Sequence, residues 1–338
     1  MSARQQILPV FVPHLGCPHD CVFCNQRRIS GTLAPAKAQD VIQIMKQAAA
    51  LPRSGAKRQL AFYGGSFTAI PVQQQEALLS AARTGLEQGW IDSVRLSTRP
   101  DAIDETVLLR LRSAGVETVE LGAQSMDEEV LRAAGRGHTA EDVRLASGLI
   151  RQFGFQLILQ MMTGLPGDSR EKDLETARQL IALHPDGVRI YPTVIVRETA
   201  LYELWKAGRY REHTTEDAVR IGAQLLPLFE EAGIPVIRFG LNPTEELSAG
   251  AAAGGAYHPA LGELVKSRVL RNRAEALLEG TEPGSRVTLG VFPAQLSQMI
   301  GQHRENVEWL CQRFSLADLK IRPGSGKRDE ICVISIEK

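Results

Sequence analysis

The sequence predicts an α/β fold: a partial (β/α)6-type barrel followed by a small C-terminal α+β domain. Short apolar segments alternate with longer segments of helical periodicity, and repeated strand–helix units form a parallel sheet covered by helices. Glycine, cysteine and polar motifs follow several of the predicted strands. In a β/α barrel the functional site gathers at the carboxyl ends of the strands, so this placement also favours a barrel enzyme.

The predicted elements follow one another in regular order along the first 240 residues. The predicted strands are Ile7–Val12, Gln59–Gly64, Ser93–Thr98, Thr118–Ala123, Phe155–Met162 and Gly187–Pro192, with Ile234–Phe239 as a seventh candidate. The predicted helices are Ala38–Ala50, Gln73–Gln88, Asp104–Ala114, Ala140–Phe153, Ser169–Leu183 and Thr215–Ala232. Six or seven such units are enough for an open or partial barrel.

The character of the sequence changes after Asn242. The stretch Ser248–Tyr257 is made of small residues and is typical of a loop or linker. We therefore expect a barrel over residues 1–245, a linker and a basic helix over 246–284, and a small domain over 285–338.

The bulk composition is that of a globular protein with no overall electrostatic attraction to nucleic acid or membrane. The formal net charge is zero, 43% of the residues are hydrophobic and 23% are charged. No run of 18 apolar residues predicts a membrane span, and Pro13 comes too early for a signal peptide. We therefore expect a cytoplasmic protein, in which three clustered cysteines indicate metal ligation rather than disulfides.

The cysteine cluster lies directly after the first predicted strand, in "HLGCPHDCVFCNQRR". Cys17, Cys21 and Cys24 have the spacing Cys-x3-Cys-x2-Cys. A structural zinc site requires four protein ligands, and His14 or His19 would supply the fourth. An iron–sulfur cluster normally takes four thiolates, so three cysteines would leave one iron open to another ligand. An open coordination position is typical of a catalytic metal site rather than a structural one.

This motif, with Phe23 before its last cysteine, resembles that of the radical S-adenosylmethionine (SAM) superfamily. The resemblance implies that Cys17, Cys21 and Cys24 hold three irons of a [4Fe–4S] cluster and that the fourth iron binds SAM. An electron from a donor such as flavodoxin or ferredoxin would then cleave SAM into methionine and a 5′-deoxyadenosyl radical. The cofactors would carry this chemistry, and the protein would position them and exclude water and oxygen.

Motifs after the later strands supply candidate SAM contacts. Glycines in "FYGGSFTAIP" let the backbone approach a ligand closely, although turns also use such pairs. Gln124 and Ser125 would face the barrel mouth and bond a ribose, and Arg136 would pair with a carboxylate. Thr139 is expected to be only the N-cap of the next helix. The candidate SAM-binding residues are Phe23, Gly64, Gly65, Ser66, Arg99, Gln124 and Arg136.

Longer stretches are similar to the radical SAM half of the Elongator catalytic subunit, which modifies wobble uridines of tRNA. They are "TVELGAQS", "RGHT", "GLPG" and "GVRIYPTVIVRETALYELWKAGRY", and the similarity covers about residues 5–245. This chain differs from the Elongator catalytic subunit in three respects. The family spaces its first two cysteines farther apart, has lysine where this chain has Arg189, and carries an acetyltransferase domain for which we expect no room here. Weaker similarity runs to oxygen-independent coproporphyrinogen oxidase.

The last 53 residues read β-α-turn-α-β-β and resemble a KH domain, whose Gly-x-x-Gly loop clamps a nucleic-acid backbone. Arg304 stands in place of the last glycine of that loop. The segment holds eight basic and six acidic residues, a surplus of 8 − 6 = 2. A preceding helix carries Lys266, Arg268, Arg271 and Arg273. Together they predict an RNA-binding surface, although a solvated basic face has the same pattern.

Three functions agree with the sequence. The first is a radical SAM enzyme that modifies RNA, with tRNA as the expected substrate. The second is a radical SAM oxidoreductase that acts on a small molecule such as a tetrapyrrole. The third is a non-catalytic RNA-binding or cluster-sensing protein that retains the barrel as a scaffold.

Overall fold

The structure is a computed structural model that describes residues 5–12, 17, 19–25, 34, 36–52, 55–244, 247–324 and 326–338. Its contacts divide the chain into two units. The first comprises Met1–Thr214 and Phe229–Tyr257, and the second comprises Thr215–Leu228 and His258–Lys338. Among the described residues, no helix is both long and apolar enough to cross a membrane. His14, one of the possible zinc ligands, lies outside the described residues.

The first unit is built on a seven-stranded sheet in which all neighbouring strands are parallel. The order across the sheet is β1-β2-β3-β4-β5-β6-β8, which is also the order of these strands along the chain. The strands are β1 (Gln5–Phe11), β2 (Lys57–Tyr63), β3 (Ser93–Thr98), β4 (Val116–Gln124), β5 (Gln156–Thr163), β6 (Gly187–Pro192) and β8 (Val236–Phe239). All seven strands that the sequence predicts are present, and the predicted partial barrel is confirmed.

Helices connect the strands, as the crossover of a parallel sheet requires. They are α1 (Ala38–Ala50), α2 (Val72–Glu87), α3 (Glu105–Ser113), α4 (Glu128–Ala133), α5 (Ala140–Gln152), α6 (Arg170–Ala182), α7 (Ala200–Lys206) and α8 (Thr215–Glu231). The predicted cap of α5 is confirmed, because Thr139 accepts a hydrogen bond from the Asp142 backbone N–H at 3.2 Å. The short helices α4 and α7 were not predicted.

The predicted loop Ser248–Tyr257 is in part a strand, and that interpretation was wrong. β9 (Ala252–Gly255) pairs antiparallel with β7 (Val194–Val196) in the first unit. Gly255 has a φ of +83°, and a side chain there would come within 2.7 Å of the Thr193 carbonyl oxygen. The small residues therefore permit a close approach of two backbones, which composition alone does not distinguish from a flexible linker.

The second unit contains the predicted β-α-turn-α-β-β segment. Helix α9 (Leu261–Leu278) precedes β10 (Arg286–Val291), α10 (Leu296–Ile300), α11 (Glu305–Phe314), β11 (Asp318–Pro323) and β12 (Ile331–Glu337). β10 is central, parallel to β11 and antiparallel to β12. The buried Asn306 amide donates to the backbone carbonyls of Gln298 and Met299 at 3.2 Å each, and to the Ser267 hydroxyl at 2.9 Å. These bonds join α9, α10 and α11.

Two buried carboxyl groups fix the loop that follows β5. Asp168 accepts hydrogen bonds from the backbone N–H groups of Gly164 and Ser169, at 3.0 and 2.8 Å. Burial raises the pKa of Asp173, and the adjacent charge of Asp168 raises it further, well above its ordinary value. Asp173 therefore keeps its proton to a higher pH than an ordinary aspartate, since its ionisation is opposed by burial and by the neighbouring Asp168.

We predict that Asp173→Asn removes a pH dependence of stability. A folded-state pKa above the unfolded value gives stability that is present at low pH and is lost as the pH rises through the folded pKa. Each pH unit between the two values costs about 1.4 kcal/mol. Urea unfolding from pH 5 to 9 should show wild-type stability falling relative to Asp173→Asn as the pH rises. The exposed Glu175→Gln on the same helix is the control. Parallel curves of stability against pH for wild type and Asp173→Asn would contradict the raised pKa of Asp173.

Candidate functional site

A cavity of about 610 Å³ opens at the carboxyl ends of the parallel strands in the first unit. Ten of the predicted site residues line it: Cys17, Cys21, Phe23, Cys24, Gly64, Gly65, Ser66, Arg99, Gln124 and Arg136. The volume lies in the range of pockets that bury a small ligand. The barrel thus brings residues from five chain segments to one space, as parallel strands do with residues at their carboxyl ends.

The cysteine loop is held by backbone hydrogen bonds to two helical regions. Cys24 N–H donates to the Cys21 carbonyl at 3.0 Å, which closes a tight turn. Val22 N–H donates to the Ala134 carbonyl at 3.0 Å, and the Val22 carbonyl accepts from Leu201 N–H at 2.7 Å. All three cysteines are thiols rather than members of disulfides. The loop therefore presents thiols from a fixed backbone.

The segment 134–138 forms a cradle for this loop. A side chain at Gly135 would lie 3.3 Å from the Asp20 carbonyl oxygen, and one at Gly137 would lie 2.3 Å from the His19 ring. Both glycines also have positive φ, +67° and +73°. Only glycine combines that backbone conformation with so close an approach.

Arg136, between those glycines, links the cysteine loop to strand β4. Its Nη1 donates to Cys21 Sγ at 3.3 Å and its Nη2 donates to the Gly122 carbonyl at 2.7 Å. Its Nε is buried without a hydrogen-bond partner in the described part of the chain. The two bonds of Nη1 and Nη2 therefore fix the guanidinium between the cysteine loop and β4.

The donor set fits an iron–sulfur cluster, because three thiols from one short loop line the cavity and such clusters are held by cysteine thiolates at different irons. Arg136 Nη1 adds a hydrogen bond to Cys21 Sγ at 3.3 Å. Cys17, Cys21 and Cys24 are the residues that would hold the cluster.

The other predicted SAM contacts differ in backbone conformation and in whether they already have hydrogen-bond partners within the protein. Gly64 has a φ of +91°, which a glycine adopts without strain. Gln124 has a φ of +66°, a conformation that is uncommon for a residue with a side chain and is typical of functional sites. The Ser66 hydroxyl already bonds Thr98 at 2.9 Å and accepts from Arg99 N–H at 3.2 Å. Ser66 therefore orders the strand ends from beneath the cavity surface.

Arg99 also has partners within the protein. Its guanidinium donates to both carboxylate oxygens of Asp101, at 2.9 and 3.0 Å, and to the Arg136 carbonyl at 2.5 Å. Arg99 thus supports the backbone that carries Arg136. Ser125 does not line the cavity, contrary to the ribose-binding prediction. Its hydroxyl accepts from Asp127 N–H at 3.1 Å and contacts the Thr176 hydroxyl at 3.3 Å, so it serves the turn into α4.

Apart from Arg189, sequence reasoning missed a cluster of polar side chains at the same cavity, which we call the inner cluster: Tyr63, Arg95, Glu120, Gln160, Arg189 and Tyr191. All but Arg95, which lies buried behind Glu120, line the cavity. The Glu120 carboxylate, 0% exposed, is the centre of the cluster. Glu120 accepts from Arg95 at 2.7 Å and from Gln160 at 2.8 Å, and one of its oxygens lies 3.1 Å from Arg189 Nε. A signal was available, because Arg95, Glu120 and Arg189 are charged residues in the middle of predicted strands.

The inner cluster is strongly coupled electrostatically. Burial raises the pKa of Tyr63, and the negative charge of Glu120 raises it further, so its phenol remains protonated. Burial is the largest single influence on the pKa of Arg189 and acts to lower it. The charge of Glu120, together with Tyr191 and Tyr63, outweighs burial and raises that pKa. The Tyr63 phenol and the Arg189 guanidinium are therefore both held in their protonated forms.

The basic residues of α9 largely have partners within the second unit. Arg268 donates to both carboxylate oxygens of Glu216, at 3.0 and 2.9 Å, and Lys266 donates to Glu263 at 2.8 Å. The Arg271 guanidinium lies 4.4 Å from the centre of the Trp309 ring. An RNA phosphate would have to compete with these contacts, so α9 is a weaker candidate surface than its sequence indicates.

The loop between α10 and α11 is arranged differently. Gly301 has a φ of +79°, and His303 and Arg304 are left-handed at +48° and +67°. Arg304, which replaces the last glycine of the KH-like motif, therefore adopts a conformation that glycine would adopt freely. The loop keeps a glycine-like backbone while carrying a basic side chain.

Comparisons with known proteins agree with this geometry. A family model described as the radical SAM superfamily matches residues 11–180, and one described as the radical SAM C-terminal domain matches 185–271. Human Elongator complex protein 3 is 37% identical over 138 residues, 40% of this chain and 25% of its own length. A tRNA uridine(34) acetyltransferase from Dehalococcoides mccartyi is 29% identical over 236 residues, 60% of this chain and 51% of its own length.

A solved structure shares the fold over most of the chain. Elp3 from the archaeon Methanocaldococcus infernus, with an N-terminal deletion (1–46), superposes with a TM-score of 0.63 at 22% identity. The match covers 84% of this chain and 67% of that one. The two curated relatives above extend well beyond the match, since this chain spans between 25% and 51% of their lengths.

A buried histidine lies beneath the cradle. His138, 3% exposed, has its Nε2 3.1 Å from the Ala123 carbonyl, so Nε2 carries the proton and donates it. Its Nδ1 is buried with no hydrogen-bond partner in the described part of the chain. Burial, followed by the charge of Arg136, lowers the pKa of His138 to about 4.

We predict that protonation of His138 destabilises the protein at mildly acidic pH. A depressed folded-state pKa gives stability that is present above the unfolded value, near 6.5, and is lost as the pH falls toward 4. Between pH 7 and pH 5 the wild type should lose about 2 kcal/mol through this group. His138→Gln keeps a donor for Ala123 and should remove that loss in urea unfolding, whereas the exposed His184→Gln should not. Equal losses in wild type and His138→Gln would contradict the assignment.

Proposed function

The chain belongs to the radical SAM superfamily, and on that premise we propose that it is a radical SAM enzyme that modifies RNA, with tRNA as the expected substrate. Cys17, Cys21 and Cys24 would hold a [4Fe–4S] cluster. With SAM bound, the cluster supplies the electron that cleaves SAM to methionine and a 5′-deoxyadenosyl radical.

One observation carries the catalytic part of the proposal: the three thiols of Cys17, Cys21 and Cys24 line one cavity together with Arg136. Arg136 would position the cysteine loop through its hydrogen bond to Cys21 Sγ. Gly64, Gly65 and Gln124 line the same cavity and would contact SAM there. Phe23 packs beside Val130 and Leu165, which keeps the cysteine turn against an apolar surface.

The RNA substrate is supported by the relatives. One is described as a tRNA uridine(34) acetyltransferase, and its similarity covers 60% of this chain. The KH-like segment 285–338 supports the same proposal, since its Gly301–Arg304 turn is a basic loop of the kind that contacts a nucleic-acid backbone. We also expect a cytoplasmic location, because three clustered thiols persist in a reducing compartment. The expected electron donor is a protein such as flavodoxin or ferredoxin.

We predict that the anaerobically reconstituted protein forms 5′-deoxyadenosine from SAM under dithionite. Cys17→Ala, Cys21→Ala and Cys24→Ala should each abolish this product, because each removes one ligand of the cluster. Cys332→Ala is the matched control, since Cys332 is exposed in the second unit, and it should retain full activity. Chromatography with mass detection measures the product. A fully loaded cluster with no 5′-deoxyadenosine would exclude the catalytic proposal.

The substrate requires a separate measurement. Nucleosides from total tRNA of a deletion strain, analysed by mass spectrometry, should lack or accumulate one modified form compared with the parent strain. Complementation with the wild-type gene should restore the parent profile, and complementation with Cys21→Ala should not. Unchanged RNA nucleosides together with a newly accumulating metabolite would instead favour a small-molecule substrate.

A further inference from the structure

The inner cluster carries more positive charge than its one carboxylate neutralises. Arg95 and Arg189 both contact Glu120, at 2.7 and 3.1 Å. Arg238 lies nearby, and its guanidinium bonds the backbone carbonyls of Gly240 and Leu241 rather than an acid. Burial and the positive charge of Arg189 lower the pKa of Arg238. Of these three arginines, Arg189 lines the cavity. Two guanidiniums share the one Glu120 carboxylate, and this local positive charge favours a bound anion beside Arg189, because the low dielectric makes an unpaired charge costly.

Two hydrogen-bond donors of this cluster are available toward the cavity. Arg189 Nη1 has one long contact, 3.5 Å, to the Tyr191 hydroxyl. The hydroxyl accepts that bond, so its own proton has no acceptor in the described part of the chain. Burial raises the pKa of Tyr191, which keeps the hydroxyl protonated and therefore a donor. Both residues line the cavity.

We propose that Arg189 and Tyr191 bind the carboxylate of a small organic acid, which occupies the inner part of the cavity while SAM occupies its mouth. A carboxylate places two acceptor oxygens on one planar group, which matches one guanidinium N–H and one adjacent hydroxyl. A phosphate brings three accepting oxygens and close to two charges, more than two free donors can satisfy.

The deepest residues of the inner cluster lie well inside the strands. Glu120 precedes Gln124 by four residues in β4, and Arg189 precedes Pro192 by three in β6. At about 3.3 Å per residue, the Glu120 and Arg189 backbones lie about 10 Å below the strand ends. Tyr191, in contrast, stands one residue from the end of β6 and extends the subsite toward the cavity mouth. The predicted SAM contacts line the same cavity. That the acid is a second substrate rests on the proposed function, whereas its binding does not.

The test measures binding to the full-length protein without turnover. Isothermal titration and saturation-transfer NMR with acetate, succinate and inorganic phosphate should show acetate or succinate binding with a dissociation constant near 1 mM or below. The double variant Glu120→Gln/Arg189→Gln removes a pair of opposite charges together. The buried Arg95 keeps its bond to Gln59 and has the amide oxygen introduced at position 120 as a second acceptor. The variant should therefore fold, and it should bind at least about 10-fold more weakly. The exposed Arg178→Gln is the control and should bind as the wild type does.

A further variant locates the bound acid. Arg136→Gln alters the cavity mouth, and this variant should retain the affinity of the wild type for acetate or succinate. The proposal is overturned if the wild type binds neither acid at about 20 mM, if phosphate binds more tightly than both, or if Arg136→Gln loses binding while the double variant keeps it. Since SAM cleavage is not involved, failure of the proposed enzymatic activity would leave this result intact.

Discussion

The contact between the Arg136 guanidinium and Cys21 Sγ, 3.3 Å long, is the interaction on which the site depends. The same guanidinium bonds the Gly122 carbonyl of β4, and the Arg136 carbonyl accepts from Arg99. One residue therefore ties an irregular loop to two strands of the sheet. Without it, Cys21 would be held only by the backbone hydrogen bonds of its neighbours. The flanking glycines permit this arrangement, because any side chain at Gly135 or Gly137 would meet the loop.

The parallel sheet then organises the cavity. Residues at the strand ends line it together with the cysteine loop, and the inner cluster gathers around Glu120, four residues before the end of β4. Burying Glu120 is tolerable only because two guanidiniums and an amide contact it, since an unpaired carboxylate at 0% exposure would be strongly unfavourable. Such a polar interior contributes less to folding stability than a hydrophobic core of the same size would. Its place in the same cavity as the proposed SAM site agrees with a role in binding.

Much of this could be predicted from the sequence. The alternation of apolar strands and amphipathic helices predicts seven strands and their order, because consecutive parallel units lie side by side. The cysteine spacing predicts the site, because the strand ends converge. The sequence predictions that were wrong or incomplete have physical reasons. Gly255 and its neighbours look like a linker, since close backbone pairing and flexibility require the same small residues. Ser125 is polar at a strand end, yet the turn into α4 uses its hydroxyl. Glu120 was missed because its partners, Arg95 and Arg189, are distant in sequence and meet only across the sheet.

Mössbauer spectroscopy of the 57Fe-reconstituted protein, with and without SAM, tests the central claim most directly. That claim is that three thiols hold a cluster with one iron left for SAM. The account predicts about four irons per chain in a [4Fe–4S] cluster, and a change confined to one iron site when SAM is added. A single tightly bound zinc, or a cluster whose irons all remain unchanged by SAM, would contradict it.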